Sequence, residues 1–356
     1  MKKVLNDFLP LTVLGMMSGT SIDGLDLALC DFWYDEEKYH YKIIQTKTFP
    51  YPPDLTQKLQ RLFDGSALFF CEIEVTFSQF MAQCVQEFLE TVKKRPDYIA
   101  SHGHTVFHCP EKGLTKQIGS GAILAAKTGI SVICDFRTGD VALGGQGAPL
   151  VPIGDALLFS EYEGCLNLGG IANISRHVNH ISTAYDISLC NIPLNFLAAQ
   201  RGVSFDNEGT LAKAGVVNLE LLKAFNQPGY FSLSGAKSIG FEFFNEYYKP
   251  LLETVSSSVE DKLRTMCEHI AEQIAQHLIG LQNVLITGGG AKNRFLTNLI
   301  RTKCSASLVI PDNQLIDFKE AIIFAFLGYL RVHEINNCLQ SVTGATKNSC
   351  SGAIYL

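Results

Sequence analysis

The sequence predicts an α/β fold built as two halves on one plan, and three observations carry that expectation. Apolar strand-like runs alternate with helical periodicities, the pattern of a sheet with helix layers. A glycine turn between two strands occurs twice, in "VLGMMSGTSIDGLDLALCDF" and again in "CLNLGGIANISRHV". The chain has 356 residues, more than one core of about 250–300 residues usually serves.

The elements follow in order. "LTVLGMM", "LDLALCDF" and "YKIIQTKTF" read as three successive strands. Residues 54–95 carry helical periodicity, with Phe77, Phe80, Met81, Cys84 and Phe88 at helical spacing. "YIASHGHTV" reads as a buried strand, "GAILAAKTG" as a short helix with a glycine stop, and "SVICDFR" as another strand. "CDFRTGDVALGGQGAPLVP" is polar and rich in glycine, and the domain boundary is placed there, giving domains 1–145 and 146–356. The second half opens on the repeated strand–turn–strand. A helix runs through "NIPLNFLAAQ", and Leu263, Met266, Cys267, Ile270, Ile274 and Leu278 line one face of another. "NVLITGGGAKNRFLTNLI" is strand, glycine loop and helix, and "KEAIIFAFLGYLRV" is a strongly apolar, buried helix.

Composition excludes several classes. The formal net charge is −6, so no basic field exists for nucleic acid. The eleven cysteines form no C-x-x-C pair and several sit in apolar runs, which reads as free buried thiols in a reducing compartment. The start, "MKKVLNDFLPLTVLGMM", is interrupted by Asn6, Asp7 and Pro10, unlike a signal peptide. No run of 18 or more uncharged apolar residues suggests a membrane span. A soluble cytoplasmic protein is expected.

Three glycine-rich turns follow apolar strands: residues 15–24, 169–173 and 287–290. Such turns point amide N–H groups inward and let a phosphate approach closely. Any one of them also serves as an ordinary tight corner. Neither a P-loop nor an ordinary dinucleotide fingerprint occurs. Asp23 and Asp26 both suit Mg²⁺ that bridges phosphates, Asp23 the better of the two, and Asp26 also suits a local pair or a cap of the turn. His102 and His104 alternate on a strand and would share one face, either for a metal or for hydrogen bonds to a polar ligand. Asp135, Arg137, Asp140 and Gln146 suit sugar hydroxyls or a carboxylate, or a satisfied hinge. Asp186 reads either as a catalytic carboxylate or as the N-cap of the following helix.

In this order, "GMMSGTSIDGLDLAL", "SHGHTVFHCP", "CDFRTGDVALGGQGAPLVP", "NLGGIANIS", "ITGGGAKNRF" and "EAIIFAF" resemble the anhydro-N-acetylmuramic acid kinase family. That family lies within the actin-like ATPase superfamily of sugar kinases and Hsp70-type proteins. The resemblance runs from about residue 13 to about residue 354. It implies two ribonuclease-H-like α/β domains with the active cleft between them, closing on substrate. It implies ATP and Mg²⁺ as cofactors. The function implied is hydrolytic opening of 1,6-anhydro-N-acetylmuramic acid with phosphorylation of O6, in peptidoglycan recycling.

Carried over by residue, the resemblance makes Gly15, Ser18, Gly19, Thr20, Ser21, Asp23 and Gly24 the first phosphate loop, with Asp23 toward the metal. Gly169, Gly170 and Asn173 become the second phosphate hairpin, and Gly288, Gly289 and Gly290 the nucleoside-side loop. Asp186 falls where the family carries its base, and Glu320 matches a glutamate on the late helix, in support. His102, His104, Asp135, Arg137 and Gln146 are the expected substrate contacts.

One departure from the family matters, and the C-terminal "SVTGATKNSCSGAIYL" is a looser match. Where the family shows Asp-Thr-Gly-Pro-Gly-Asn, this chain has Asp186, Ile187, Ser188, Leu189, Cys190 and Asn191. The expected partners are the anhydrosugar and ATP, with neither nucleic acid nor membrane, and homodimer formation is left open. The competing reading is a non-catalytic ATP switch of the actin or Hsp70 kind, or a related sugar-responsive regulator. The switch would need a peptide-binding domain after the ATPase part, and the regulator a helix-turn-helix before the first strand.

Overall fold

The computed structural model describes residues 9–19, 22, 24–178, 181–233, 235 and 237–356. The chain divides into two compact units. Unit 1 comprises residues 1–158 and 318–356, and unit 2 comprises residues 159–317.

Unit 1 is built on strands β1 (Leu11–Ser18), β2 (Leu25–Asp35), β3 (Lys38–Phe49), β4 (Tyr98–Cys109), β5 (Leu114–Ile118) and β6 (Ser131–Cys134). Unit 2 is built on β7 (Gly164–Leu168), β8 (Ile171–Val178), β9 (Ile181–Leu189), β10 (Asn283–Thr287) and β11 (Ser307–Val309). The late strand β12 (Ala353–Tyr355) returns to unit 1.

The two sheets repeat one order. In unit 1 it runs β3-β2-β1-β4-β6, and in unit 2 it runs β9-β8-β7-β10-β11. In each, the first three strands form an antiparallel meander and the next two join in parallel. The α/β, ribonuclease-H-like expectation therefore holds, and the faint echo of two glycine turns reflects two copies of one topology.

Helices cover both faces of the first sheet. On one face Leu14, Met16, Leu27 and Ile99 pack with Phe77, Met81, Val85 and Phe88 of the helix Ala67–Glu90. The expected helical region 54–95 is in fact two helices, Pro53–Gln60 and Ala67–Glu90. The second begins where Ser66 accepts a hydrogen bond from the Phe69 amide, an N-cap that restarts the helix. On the other face lies the helix Asn313–Val332, which begins in unit 2 and ends in unit 1. A Cβ at Gly15 would overlap the carbonyl oxygen of Ala321, and one at Gly328 would come within 2.6 Å of Ala100 Cβ.

The unit division differs from the expected cut at 145/146. The helix Val151–Leu158 stays with unit 1, and the chain after residue 317 comes back to it. The physical reason is pairing. β12 adds antiparallel to β6, Arg331 Nε donates to Gly352 O (2.8 Å), and Asn337 exchanges two bonds with Ser351.

The core of unit 2 gathers Leu166, Leu168, Ala172, Ile174, Ile187 and Leu189 against Leu263, Met266, Ile270 and Ile274 of the helix Val259–His277. That is the apolar helix face expected from spacing. Among the described residues, no helix is long and apolar enough to cross a membrane.

Candidate active site

In unit 1, the first turn follows β1. Thr20, Ser21 and Asp23, expected in the phosphate loop, lie outside the described residues. The Ile22 amide donates to Gly19 O (3.3 Å). Gly15 is not part of this turn. It sits mid-strand, where its missing side chain admits the backbone of Ala321, so packing accounts for it in place of ligand contact. Gly24 is similar, since a Cβ there would lie 2.8 Å from Phe49 O. Ser18 is buried, and its hydroxyl accepts from Tyr51 Oη (2.7 Å) and contacts His104 Nδ1 (2.9 Å), so the protein engages the group expected to meet a phosphate.

The two strand histidines do not share a face. β1 pairs β4 with Met16 opposite Ser101 and Ser18 opposite His104, so β4 carries one extra residue. This bulge centres on Gly103, whose φ of 73° suits glycine and whose Cβ would clash with Ile118 O. The simple alternation expected from sequence is broken there. His104 points toward Phe77 and Ser18, while His102 packs on Phe324 of the opposite helix.

His102 accepts a hydrogen bond at Nε2 from Arg137 Nε (3.0 Å), and its Nδ1–H donates to Gly103 O (2.9 Å). Burial, then the Arg137 charge, holds its pKa well below the ordinary histidine value, so it stays neutral and fixed in one tautomer. Arg137 Nη1 donates to Gly147 O (2.6 Å), which leaves Nη2 without a partner among the described residues. Asp135 has φ 59° and its Oδ1 accepts from the Thr138 amide (3.3 Å), a local turn role. Gln146 is tied by its backbone amide to Thr343 O (2.8 Å), and its side chain is exposed.

Asp140 is fully buried and serves the protein, not a sugar. Its Oδ1 accepts from Thr343 Oγ1 (2.8 Å) and Cys338 Sγ (3.1 Å), and its Oδ2 from the Gly147 amide (2.8 Å). The late chain segment thereby holds the loop whose carbonyl holds Arg137. Nothing in the local sequence of Asp140 announces these distant partners.

Glu320 lies on the helix Asn313–Val332, next to Lys319, which pairs with buried Asp155 (2.7 Å). Solvent reaches Glu320, yet protein atoms crowd it. That crowding raises its carboxyl pKa; Lys319 and Arg137 oppose the rise, and Asp26 and Asp155 add to it. Asp26 itself accepts from Thr48 Oγ1 (2.5 Å).

In unit 2, pairing aligns four polar residues across the sheet. Thr287 on β10 is opposite Asn167 on β7, Asn167 opposite Asn173 on β8, and Asn173 opposite Asp186 on β9. Directly opposed residues share a face, and this one is the reverse of the face carrying Leu166, Leu168 and Ile187. Asn167 and Thr287 were not among the expected site residues. The signal for Asn167 is a polar side chain inside the apolar run "CLNL".

The two glycine turns of this unit lie against each other. A Cβ at Gly288 would come 2.5 Å from Asn167 Oδ1, and one at Gly290 would come 2.8 Å from Leu168 Cβ. At Gly289 it would meet only Asn191 Nδ2, at 3.9 Å. Asn191 Nδ2 donates to Leu168 O (3.1 Å), and the Cys190 and Asn191 amides donate to Gly170 O and Gly169 O. Thr287 Oγ1, fully buried at the entry to the loop, has no hydrogen-bond partner among the described residues. An open glycine at the loop tip and an unpartnered buried hydroxyl beneath it fit a polar ligand such as a nucleotide.

Asp186 is on β9, not at the helix start. The helix Asn191–Ala199 is preceded by Cys190, which makes no side-chain cap, so the N-cap reading fails. Oδ2 of Asp186 accepts from the Ile239 amide (3.0 Å), and Oδ1 has no partner among the described residues. Burial raises its pKa, with the Ile239 bond opposing, and this moves the carboxylate toward the range of a working base. The residues that replace Gly-Pro-Gly are inside: Ser188, Leu189 and Cys190 are all fully buried, as is Ile187 before them.

Comparison with known proteins decides the family. Residues 11–356 match the family model for anhydro-N-acetylmuramic acid kinase. The anhydro-N-acetylmuramic acid kinase of Vibrio cholerae is 36% identical over 96% of this chain and 97% of its own length. Those of Pasteurella multocida and Haemophilus influenzae are 34% and 35% identical, over 96% and 97% of this chain and 96% and 98% of theirs. The chain belongs to the anhydro-N-acetylmuramic acid kinase family. It is therefore an enzyme of a kinase family, and nothing in these matches favours a non-catalytic switch or a regulator. For such a kinase, Asp186 and the facing glycine loops are the features of unit 2 that call for a chemical role.

Proposed function

We propose that this chain uses ATP to open 1,6-anhydro-N-acetylmuramic acid with water and to phosphorylate the released O6. The observation that supports this beyond family membership is the state of Asp186: a half-buried carboxylate, raised in pKa, with one oxygen held and the other unengaged. Oδ1 takes the proton from a water as that water's oxygen bonds to C1. The C1–O6 bond breaks, and O6 carries its electron pair to the γ-phosphorus as the bond to the leaving ADP breaks.

The protein's other residues bind and orient. Gly288, Gly289 and Gly290, with Gly169, Gly170 and Asn173, hold the nucleotide, and Thr287 joins them from below. Gly19 and its neighbours Thr20, Ser21 and Asp23 take the phosphates, with Mg²⁺ on the Asp23 side supplying charge neutralisation when bound. Arg137, steadied by His102, offers Nη2 to an anionic or hydroxyl group of the sugar, and Gln146, Asp135 and Glu320 line the same unit. Within this set His104 orders Ser18. All eleven cysteines are free and ATP is the phosphoryl donor, which supports the cytoplasm as the place of action in cell-wall recycling. The net charge of −6 weighs against nucleic acid as a partner.

The test is a ³¹P and ¹H NMR time course with ATP, Mg²⁺ and 1,6-anhydro-N-acetylmuramic acid. The expected result is ADP and a 6-phosphate sugar with a free anomeric centre, formed together. ADP release that is the same with and without the sugar would refute the proposal.

A further inference from the structure

Asp186 stands at an irregular point on an exposed sheet edge. β9 is the outer strand of its sheet, and between Ala172/Ser188 and Asn173/Asp186 the register slips by one residue on β9. A bulge re-aims the side chain next to it, but it also loosens the ladder there. The free edge is not left open to water alone. The Asp186 amide donates to Lys237 O (3.0 Å), the Asp186 carbonyl accepts from Tyr230 Oη (2.7 Å), and Oδ2 accepts from the Ile239 amide (3.0 Å). One stretch of chain thus grips both backbone groups of this residue and one of its two carboxylate oxygens.

Tyr230 is well placed to hold that grip. Its ring packs edge-on to Phe231 and tilted against Phe243, and Lys237 Nζ sits 4.8 Å above it. Burial and the Asp186 charge raise its phenol pKa, so the hydroxyl remains a donor.

We infer that Tyr230 is a positioning residue for the base: its hydroxyl, with the Lys237 carbonyl and the Ile239 amide, fixes the bulged Asp186 so that Oδ1 alone faces the water. This rests on Asp186 as the base, as proposed above. Tyr230 touches no reacting atom, and it acts through the backbone of Asp186.

The test is steady-state kinetics and thermal unfolding of Tyr230→Phe, Asp186→Asn and the double variant, with ATP, Mg²⁺ and the anhydrosugar. Tyr230→Phe keeps the ring and removes only the hydroxyl. Expected is a fall in kcat on the order of 10-fold to 100-fold, with KM for ATP and for the sugar unchanged and the melting temperature held. In the double variant the hydroxyl should matter no further, so its activity should equal that of Asp186→Asn. A Tyr230→Phe enzyme with wild-type kcat overturns the inference. So does a loss of kcat that follows a lowered melting temperature, or one that multiplies in the double variant. Wild-type activity in Asp186→Asn is a separate result that removes the base assignment itself and the inference with it.

Discussion

Arg137 gives its Nε–H to Nε2 of His102 across 3.0 Å, on the face of the first sheet that carries Phe324. A neutral imidazole, itself anchored on Gly103 O, thereby sets the plane of a guanidinium. Replacing His102 by Ala should leave Arg137 charged but loosely aimed. A bond to a charged donor is worth about 1.5–3 kcal/mol, so KM for the sugar should rise by about tenfold or more. KM for ATP should stay within about twofold, since the proposed nucleotide contacts are the glycine loops and not Arg137. Because the His102 pKa is held well below its ordinary value, the wild-type rate profile should show no imidazole step from His102 near neutrality.

The carboxylate of Asp186 yields a second expectation. Asp186→Asn keeps the Ile239 contact through its amide oxygen but cannot accept a proton, so kcat should fall ~10²–10⁴-fold with nucleotide affinity retained. Calorimetric titration of nucleotide beside the kinetic assay checks both halves. A raised pKa also means that the wild-type rate should fall on acidification at a pH above the ordinary aspartate range.

Gly15 separates packing from ligand binding. Its Cβ would overlap the Ala321 carbonyl, and backbone cannot move aside as a side chain can. Gly15→Ala should cost about 1–3 kcal/mol of stability, as overpacked cores do. Urea unfolding measures that loss, and the ATP affinity of the remaining folded protein should be unchanged.

That residue shows how far the sequence could be read. Strand and helix types along β1 to β4, the helix Gly121–Thr128, the helix Val259–His277 and the late apolar helix were legible because their periodicities are local. The glycines of the first turn looked alike, yet Gly15 answers to a helix more than three hundred residues away in the chain. The bulge at Gly103 was invisible for a related reason: alternation is read along a strand, while a bulge is set by the partner strand. The hold of Thr343 and Cys338 on Asp140, of Tyr230 on Asp186, and of β12 on β6 are likewise long-range pairings with no local periodicity.

Acid should weaken unit 2 in a defined window. His269 is fully buried between Tyr248 Oη (2.6 Å) and Asn226 Oδ1 (2.7 Å), and burial lowers its pKa from 6.5 to about 3. Burial first, then Lys237 and Arg176, lower His277 to about 4. Above pH 6.5 neither state binds the extra proton. As pH falls below that value the unfolded chain takes it up and the folded chain does not, so stability is lost down toward the folded pKa. The fully buried His269 contributes a slope of up to about 1.4 kcal/mol per pH unit, and the half-buried His277 less, because solvent screens it. Urea unfolding between pH 7.5 and 5.5 should show the decline, and His269→Asn should flatten it.

The buried carboxyl of Asp140 supports a fifth expectation. Thr343→Val removes one of its donors without changing shape, and should destabilise by about 1–3 kcal/mol. Since Asp140 also holds the Gly147 amide, and Gly147 O holds Arg137, sugar affinity should weaken in the folded variant while ATP affinity persists. Denaturation and the two KM values together report this.

Unit 1 is assembled from two stretches of chain with the whole of unit 2 inserted between them. During synthesis, residues 159–317 leave the ribosome before the helix turns that cover Gly15 and Ala100, and before the strand that completes the edge at β6. The usual order, in which the earlier domain finishes first, is inverted. Unit 2 holds all of its own sheet while the first sheet waits with Val13, Gly15 and Ala100 uncovered. The nascent chain thus has the facing glycine loops of unit 2 formed before the sheet of unit 1 has acquired a second wall.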